Sequence, residues 1–539
     1  MRLDLVGISG NNRNAWEAKG YELPEFDIEA VRKFTMDNPI WVHFGAGNIF
    51  RAFHAMIAQK LLNSGAMDRG ITCVEGYDYE IIEKMNRPHD ELSLMVTLRS
   101  DGTTEKTVVG SIAESCILDS DNETEFGRLK DIFAEPSLQM ATFTITEKGY
   151  SVKDGAGNVL PAISADFEAG PAKPGSYLGK VVSLLYSRYE AGAYAIAMVS
   201  TDNCSHNGDK LHDAVYAFAK EWTDRGLADK GFLDYVEDPS RVSFPWSMID
   251  KITPRPDKSV EEMLEKDAIE GLESVITSKN TYVASFVNAE ECEYLVIEDA
   301  FPNGRPPLEK AGVIFTSKET VDKVERMKVC TCLNPLHTAL AVYGCLLGYD
   351  KISEEMKDED LVRLIRRIGY TEGLPVVTDP RVIDPKRFID TVVGVRLPNP
   401  FMPDTPQRIA TDTSQKLPIR FGETVKNYIK KGLDIDSLKA VPLVFAGWLR
   451  YLMAVDDKGR EFELSSDPRF DDLLPIMSKA SLGMDESAAR ELIKPILKDD
   501  TIFAVDLWEA GLGEKVSDLF VQLTRGTGAV RKVLRETIA

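Results

Sequence analysis

A chain of 539 residues with 43% hydrophobic composition is too long for one core and is expected to fold as two large domains. Lys plus Arg total 64 against 86 for Asp plus Glu, a net charge of -22, which excludes nucleic acid and anionic membranes as main partners. Seven scattered cysteines suit a reducing compartment rather than a disulfide framework, and with neither a signal-peptide h-region nor an apolar run of about 18 residues, a soluble, cytoplasmic protein is expected.

Residues 1–38 precede the first strand signal and are expected to wrap the surface. Ile40 to Phe44 then reads as a strand, Gly45-Ala46-Gly47-Asn48-Ile49-Phe50-Arg51 as a glycine turn, and Ala52 to Leu62 as a helix. Gly45 allows a sharp turn and Gly47 lets backbone approach a pyrophosphate, whose charge a helix N-terminus favours. Phe50 replaces the usual third glycine, which predicts looser packing of helix on strand, and Arg51 offers a positive charge beside the phosphates. Asn48 and Ile49 complete this cofactor turn. A second apolar run, Ile71 to Val74, ends in Glu75-Gly76-Tyr77-Asp78; an acid there suits the adenosine ribose and favours NAD over NADP. Glu75 and Asp78 are both candidates, each with a solvated loop acid as the plain alternative. Strand patterns at Met140 to Thr146 and Tyr194 to Ser200 run into Glu147 and into Asp202-Asn203. Ligands of an open parallel sheet lie at the carboxyl ends of its strands, so Thr146, Glu147, Asp202 and Asn203 fall beside a nicotinamide and substrate.

From about residue 286 the texture becomes helical, with apolar spacing over Leu336 to Leu347, Leu361 to Ile368, Ile435 to Met453 and Ala488 to Leu497. The fold class is an α/β Rossmann-like N-terminal domain, residues 1–285, with a mostly α-helical C-terminal domain, residues 286–539. Pro-rich stretches at Phe301 to Pro307 and Leu397 to Pro406 read as ordered connectors. Within the helical half, Lys328 to His337 gathers an amine, the Asn334 amide and an imidazole, the groups that move a proton at a carbonyl without a metal. Cys330, Cys332 and His337 invite a zinc reading, but thiols two apart on an α-helix diverge by about 160°, and no metal is expected.

These blocks, in this order, resemble the polyol-specific long-chain dehydrogenase/reductase family. Its markers are His43 to Arg51, Thr146-Glu147-Lys148-Gly149-Tyr150, Asp202-Asn203 with His206-Asn207-Gly208, Ser247 to Pro254, Val296 to Asp299, Glu325-x-Met327-Lys328, Asn334-x-x-His337, and Arg396-x-x-Asn399-Pro400 with Asp404 and Arg408. The resemblance runs nearly end to end. It implies a metal-independent, NAD-dependent oxidoreductase acting on a small sugar acid or polyol, with the active site in the cleft between its domains, and a monomer or small homo-oligomer. It places the catalytic lysine on Lys328, the carbonyl-polarising asparagines on Asn203 and Asn334, and the substrate histidine on His337. Asp250, Asn399 and Arg408 fall on substrate contacts, and Glu325 on a glutamate that moves protons near the lysine. The substrate expected first is a ketose-type uronate, fructuronate giving mannonate, with Arg408 as a bidentate fork for its carboxylate. Tagaturonate and fructose come next. Lys416 and Arg420 are expected to belong to a solvated basic face. One departure stands out: the family's pattern sets four residues between lysine and asparagine, and here Val329 to Leu333 make five. On an α-helix the added residue turns Lys328 about 100° further round, so a π-bulge or kink before Asn334 is predicted. From a different class, a catalytically silent nucleotide-binding sensor is the alternative.

Overall fold

The computed structural model describes residues 1–539. They divide into two units, Met1–Arg99 with Thr103–Asp322, and Lys323–Ala539 with Ser100–Gly102.

The first unit is built on six parallel strands: β1 (Trp41–Phe44), β2 (Ile71–Glu75), β3 (Ile112–Ile117), β4 (Met140–Phe143), β5 (Ile196–Ser200) and β6 (Val242–Ser243). Their spatial order is 3-2-1-4-5-6, the doubly wound order of dinucleotide-binding sheets. Side chains alternate between two cores, as the period of a strand requires. Val42, Phe44, Val74, Ala141, Phe143, Ile196 and Met198 meet Glu123–Ala134, Tyr177–Gly192 and Asn207–Asp224 on one face. Trp41, Ile71, Cys73, Met140, Ala197 and Val199 meet Ala55–Asn63 on the other. Two covering helices start where a side chain caps them: Asn122 accepts from the Glu125 N–H and Ser176 from that of Gly179. Arg188, fully buried, donates to the carbonyls of Phe133, Glu135, Leu138, Tyr194 and Ala195, at and just past the ends of Glu123–Ala134 and Tyr177–Gly192.

The domain boundary expected at 285/286 lies instead at 322/323. Pairing moves it: Phe286–Glu290 joins Ser93–Leu98 in a four-stranded sheet, and Tyr294–Glu298 pairs with Ser247–Asp250 and Ile314–Thr316 in a three-stranded one. The N-terminal segment does more than wrap, since Tyr21–Glu22 forms the outer strand of that four-stranded sheet.

The second unit is helical. Asn334–Leu347 and Ala440–Tyr451 are apolar almost all round and run through its core, crossing where Gly447 leaves room for the Tyr343 ring. Residues 318–347 are long and apolar enough by composition to cross a membrane, yet 78% of their most apolar window is buried inside the protein, as in a core helix. The single helix expected over Ile435 to Met453 is a short 3-10 turn, Ile435–Ser437, followed by Ala440–Tyr451. Six helical segments in the chain are π turns: Phe50–His54, Ile82–Asn86, Lys328–Cys332, Arg367–Gly373, Val392–Arg396 and Pro418–Gly422. Such turns are rare, and they concentrate at functional sites.

Candidate active site

The glycine turn leaves β1 with Gly45 at φ +113°, where a Cβ would stand 2.5 Å from the Thr144 carbonyl oxygen. Only glycine fits. Gly47 faces open space, and the Arg51 N–H closes the first helical turn onto its carbonyl. Phe50 then enters a π turn and stacks on the His43 ring at 4.4 Å, which accommodates the bulk where a third glycine is missing. Gly45→Ala is expected to cost about 1–3 kcal/mol in backbone strain and to weaken NADH binding. Gly47→Ala should leave the melting temperature unchanged while obstructing NADH. Thermal melts and NADH fluorescence titrations check both.

Three expectations for this turn change. Arg51 is 1% exposed and does not present its charge to a ligand: its guanidinium donates to the Ala284 carbonyl at 2.6 Å and to Asn48 Oδ1 at 3.0 Å. Burial lowers it to about 10. Glu75 is neither a solvated acid nor an open ribose ligand. One of its oxygens accepts the Ala46 N–H and the other those of Tyr77 and Asp78, so it ties the tip of β2 to the glycine turn. Burial raises its pKa against those bonds. Asp78 is also buried; Oδ2 accepts from Thr277 at 2.6 Å, and Oδ1 has no partner.

At the ends of β4 and β5, Asp202 accepts the Ile145 and Thr146 N–H groups and the Tyr150 hydroxyl, holding Thr146 at φ +66°. Its role here is to shape the turn, and burial raises its pKa. Glu147 points outward to Lys210. Thr146 and Asn203 are exposed, with Asn203 directly after Asp202. Asn207 donates to the Asp202 and Ser247 carbonyls and accepts the Ser247 N–H, which welds this turn to the strand that carries buried Asp250.

In the second unit the predicted π turn is present. Lys328–Cys332 is a π-helix, and the Leu333 N–H bonds back five residues to the Lys328 carbonyl. One wide turn takes up the fifth residue, and Asn334 starts the next helix with Pro335 in its first turn, where a missing N–H costs nothing. Lys328 is 5% exposed. Glu325 lies one turn ahead of it on Lys318–Met327. Burial pushes the Cys332 thiol up.

His337, one turn after Asn334, stands 3.5 Å from Asp404 Oδ2, but its Nε2 has no hydrogen-bond partner. Its pKa falls to about 3, first through burial and then through Arg420, Arg408, Arg396 and Lys416 around it. It is therefore neutral. Arg408 pairs with Asp404, Arg396 is buried on the π turn Val392–Arg396, and buried Asn399 accepts the Phe401 N–H. The expectation that Lys416 and Arg420 form a solvated face fails. Arg420 donates to Thr338 Oγ1, beside His337, and Lys416 donates to the Ile409 and Thr411 carbonyls. Burial lowers the first to about 10 and, helped by Arg420, the second to about 8. Their spacing at i and i+4 was the signal for a shared face, but nothing local showed which way that face turned.

The profile of the mannitol dehydrogenase Rossmann domain matches residues 39–310, and that of the mannitol dehydrogenase C-terminal domain residues 320–523. A D-mannonate oxidoreductase of Thermotoga maritima is 52% identical, with 100% of this chain and 99% of that protein aligned. Among solved structures, a substrate-free D-sorbitol dehydrogenase is 25% identical with a TM-score of 0.78, covering 96% of this chain and 98% of that one. Pseudomonas fluorescens mannitol 2-dehydrogenase, in a ternary complex with NAD and D-mannitol, is 26% identical with a TM-score of 0.67 and 99% coverage of both chains. With both halves matched and the doubly wound sheet in place, the chain belongs to the mannitol dehydrogenase family.

Proposed function

We propose that this oxidoreductase interconverts fructuronate and mannonate with NAD(H). The observation that carries the substrate is the cluster of Arg396, Arg408, Lys416 and Arg420 around neutral His337, with Asp404 as an acidic partner. A neutral polyol has no use for such positive potential. A sugar carboxylate does, and arginine forks suit it. Arg420 and Lys416 thus join Arg408 as carboxylate-binding candidates. The 52% identical relative named for mannonate supports the same reading.

The residues of the first unit fit a dinucleotide. Gly45 adopts a conformation open only to glycine, Gly47 faces free space at a helix start, and Asp78 keeps one oxygen without a partner at the tip of β2. When bound, the nicotinamide supplies the hydride for ketone reduction and accepts it in the reverse direction. Asn203 and Asn334 donate hydrogen bonds to the oxygen that becomes an alkoxide, and Lys328 protonates it. In oxidation Lys328 removes that proton and Glu325 passes it on. His337, uncharged and with Nε2 unbonded, orients a neighbouring hydroxyl, while Asp250 and Asn399 hold the rest of the chain of hydroxyls.

Loss of NADH absorbance with fructuronate, tagaturonate, fructose and fructose 6-phosphate tests the assignment. Fructuronate should be turned over fastest. Oxidation of NADH with fructose but neither uronate would overturn it. A pH dependence follows from Lys416, which is charged below about 8 and neutral above. The KM for fructuronate is expected to rise about three- to tenfold one pH unit above that value, while the KM for fructose stays level.

A further inference from the structure

A row of buried polar groups underlies the glycine turn. The Trp41 indole N–H donates to Thr142 Oγ1 at 2.7 Å, His43 Nδ1 lies 2.7 Å from the same oxygen, and His43 Nε2 lies 2.9 Å from Thr144 Oγ1. Trp41 and His43 are buried on β1, Thr142 on β4, and Thr144 is partly exposed just past the end of β4.

The proton positions follow from the donor inventory. An indole N–H only donates, so Thr142 accepts it and must place its own O–H elsewhere. Its choices are His43 Nδ1 at 2.7 Å or the Val42 carbonyl at 3.5 Å, which is too long for a good bond. Thr142 therefore donates to Nδ1. His43 is fully buried, stacked on Phe50 and 4.5 Å from the His54 ring, surroundings that keep it uncharged with one N–H only. That N–H is on Nε2 and points at Thr144, whose hydroxyl must then donate outward. No protein group accepts from it.

The place it faces is specific. Thr144 Oγ1 lies 2.9 Å from where a Gly45 Cβ would be, and β1 and β4 are the neighbours between which the strand order reverses. In doubly wound sheets a dinucleotide crosses at that point. We propose that the Thr144 hydroxyl donates a hydrogen bond to an oxygen of the bound dinucleotide, and that His43 is the positioning residue that fixes it as a donor. The proposal rests on the cofactor reading above and adds a contact to it.

Calorimetric titration of AMP, ADP-ribose and NADH into wild type, Thr144→Val and Thr144→Ser tests this without turnover. Thr144→Val should weaken ADP-ribose and NADH about tenfold and leave AMP unchanged, with Thr144→Ser within about twofold of wild type. His43→Leu should lose part of the same increment, His43→Gln should restore it by keeping a donor near Nε2, and His43→Leu should add nothing to Thr144→Val. Imidazole ¹⁵N shifts of wild type should show His43 protonated on Nε2, a readout that survives if the leucine variant does not fold. Thr144→Val binding NADH as tightly as wild type, or His43 protonated on Nδ1, would overturn the proposal alone. A wild type that binds none of the three ligands would overturn the cofactor reading with it.

Discussion

Lys328→Ala is expected to lower turnover in both directions by about 10²–10⁴-fold, the usual contribution of a positioned acid/base, while NADH binding stays within a small factor of wild type. The two readouts separate the chemical step from cofactor binding, since Lys328 and the glycine turn belong to different units. Single-turnover mixing of enzyme, NADH and fructuronate reads the chemical step directly. The lysine is 5% exposed at the start of a π turn whose closing bond, from the Leu333 N–H to the Lys328 carbonyl, is made by backbone. Near-full turnover in the variant would remove Lys328 from the mechanism. Partial rescue by added small amines would place the missing function at the amine itself.

The largest loss of stability is expected from Glu372→Ala, about 3–5 kcal/mol. Glu372 is 1% exposed in the π turn Arg367–Gly373, and its carboxylate accepts the N–H groups of Lys439, Ala440 and Val441 and the Arg367 Nε–H, all within 2.8–2.9 Å. These are the donors that Ala440–Tyr451 leaves open at its start, where Lys439 makes no side-chain cap. Pro442 has no N–H to satisfy, and the Leu443 N–H bonds to the Lys439 carbonyl, so one distant carboxylate completes the helix start. All twelve residues of that helix are buried, which leaves no water to replace the lost acceptor. Urea melts should show the drop, with Glu372→Gln losing less because its amide oxygen still accepts. Activity of the folded fraction should be close to wild type; unaltered melts would remove Glu372 from its capping role.

Much of the fold was legible because its signals are local. The β1 run, the glycine turn and the acid after β2 sit within a single supersecondary unit, and periodicity marked Asn334–Leu347 and Glu486–Leu497. The lysine-to-asparagine spacing even announced a π turn, since helix geometry leaves few ways to hold an extra residue. What failed depended on partners far away in sequence. Arg51 looked free for phosphate until Ala284, 233 positions on, took its N–H. Glu75 looked like a ribose ligand because nothing nearby showed that the Ala46 N–H, 29 positions back, would claim one oxygen while its own loop claimed the other. The domain boundary slipped because Phe286–Glu290 belongs to a strand pair closed with Ser93–Leu98, a register invisible until the chain has turned back. Arg420 carried no local sign that it would turn to Thr338 on the helix bearing His337, nor Lys416 that backbone carbonyls would take its amine.

The π turn at Lys328–Cys332 also bears on how such proteins are found. A search pattern written with a fixed gap between lysine and asparagine passes over this chain, because it counts residues. Counted in helical turns, Lys328 and Asn334 are separated by one wide turn, which takes up the fifth intervening residue. The wide turn gives one extra residue a place without breaking the helical run, and Arg396 and Arg420 are likewise borne on π turns, Val392–Arg396 and Pro418–Gly422.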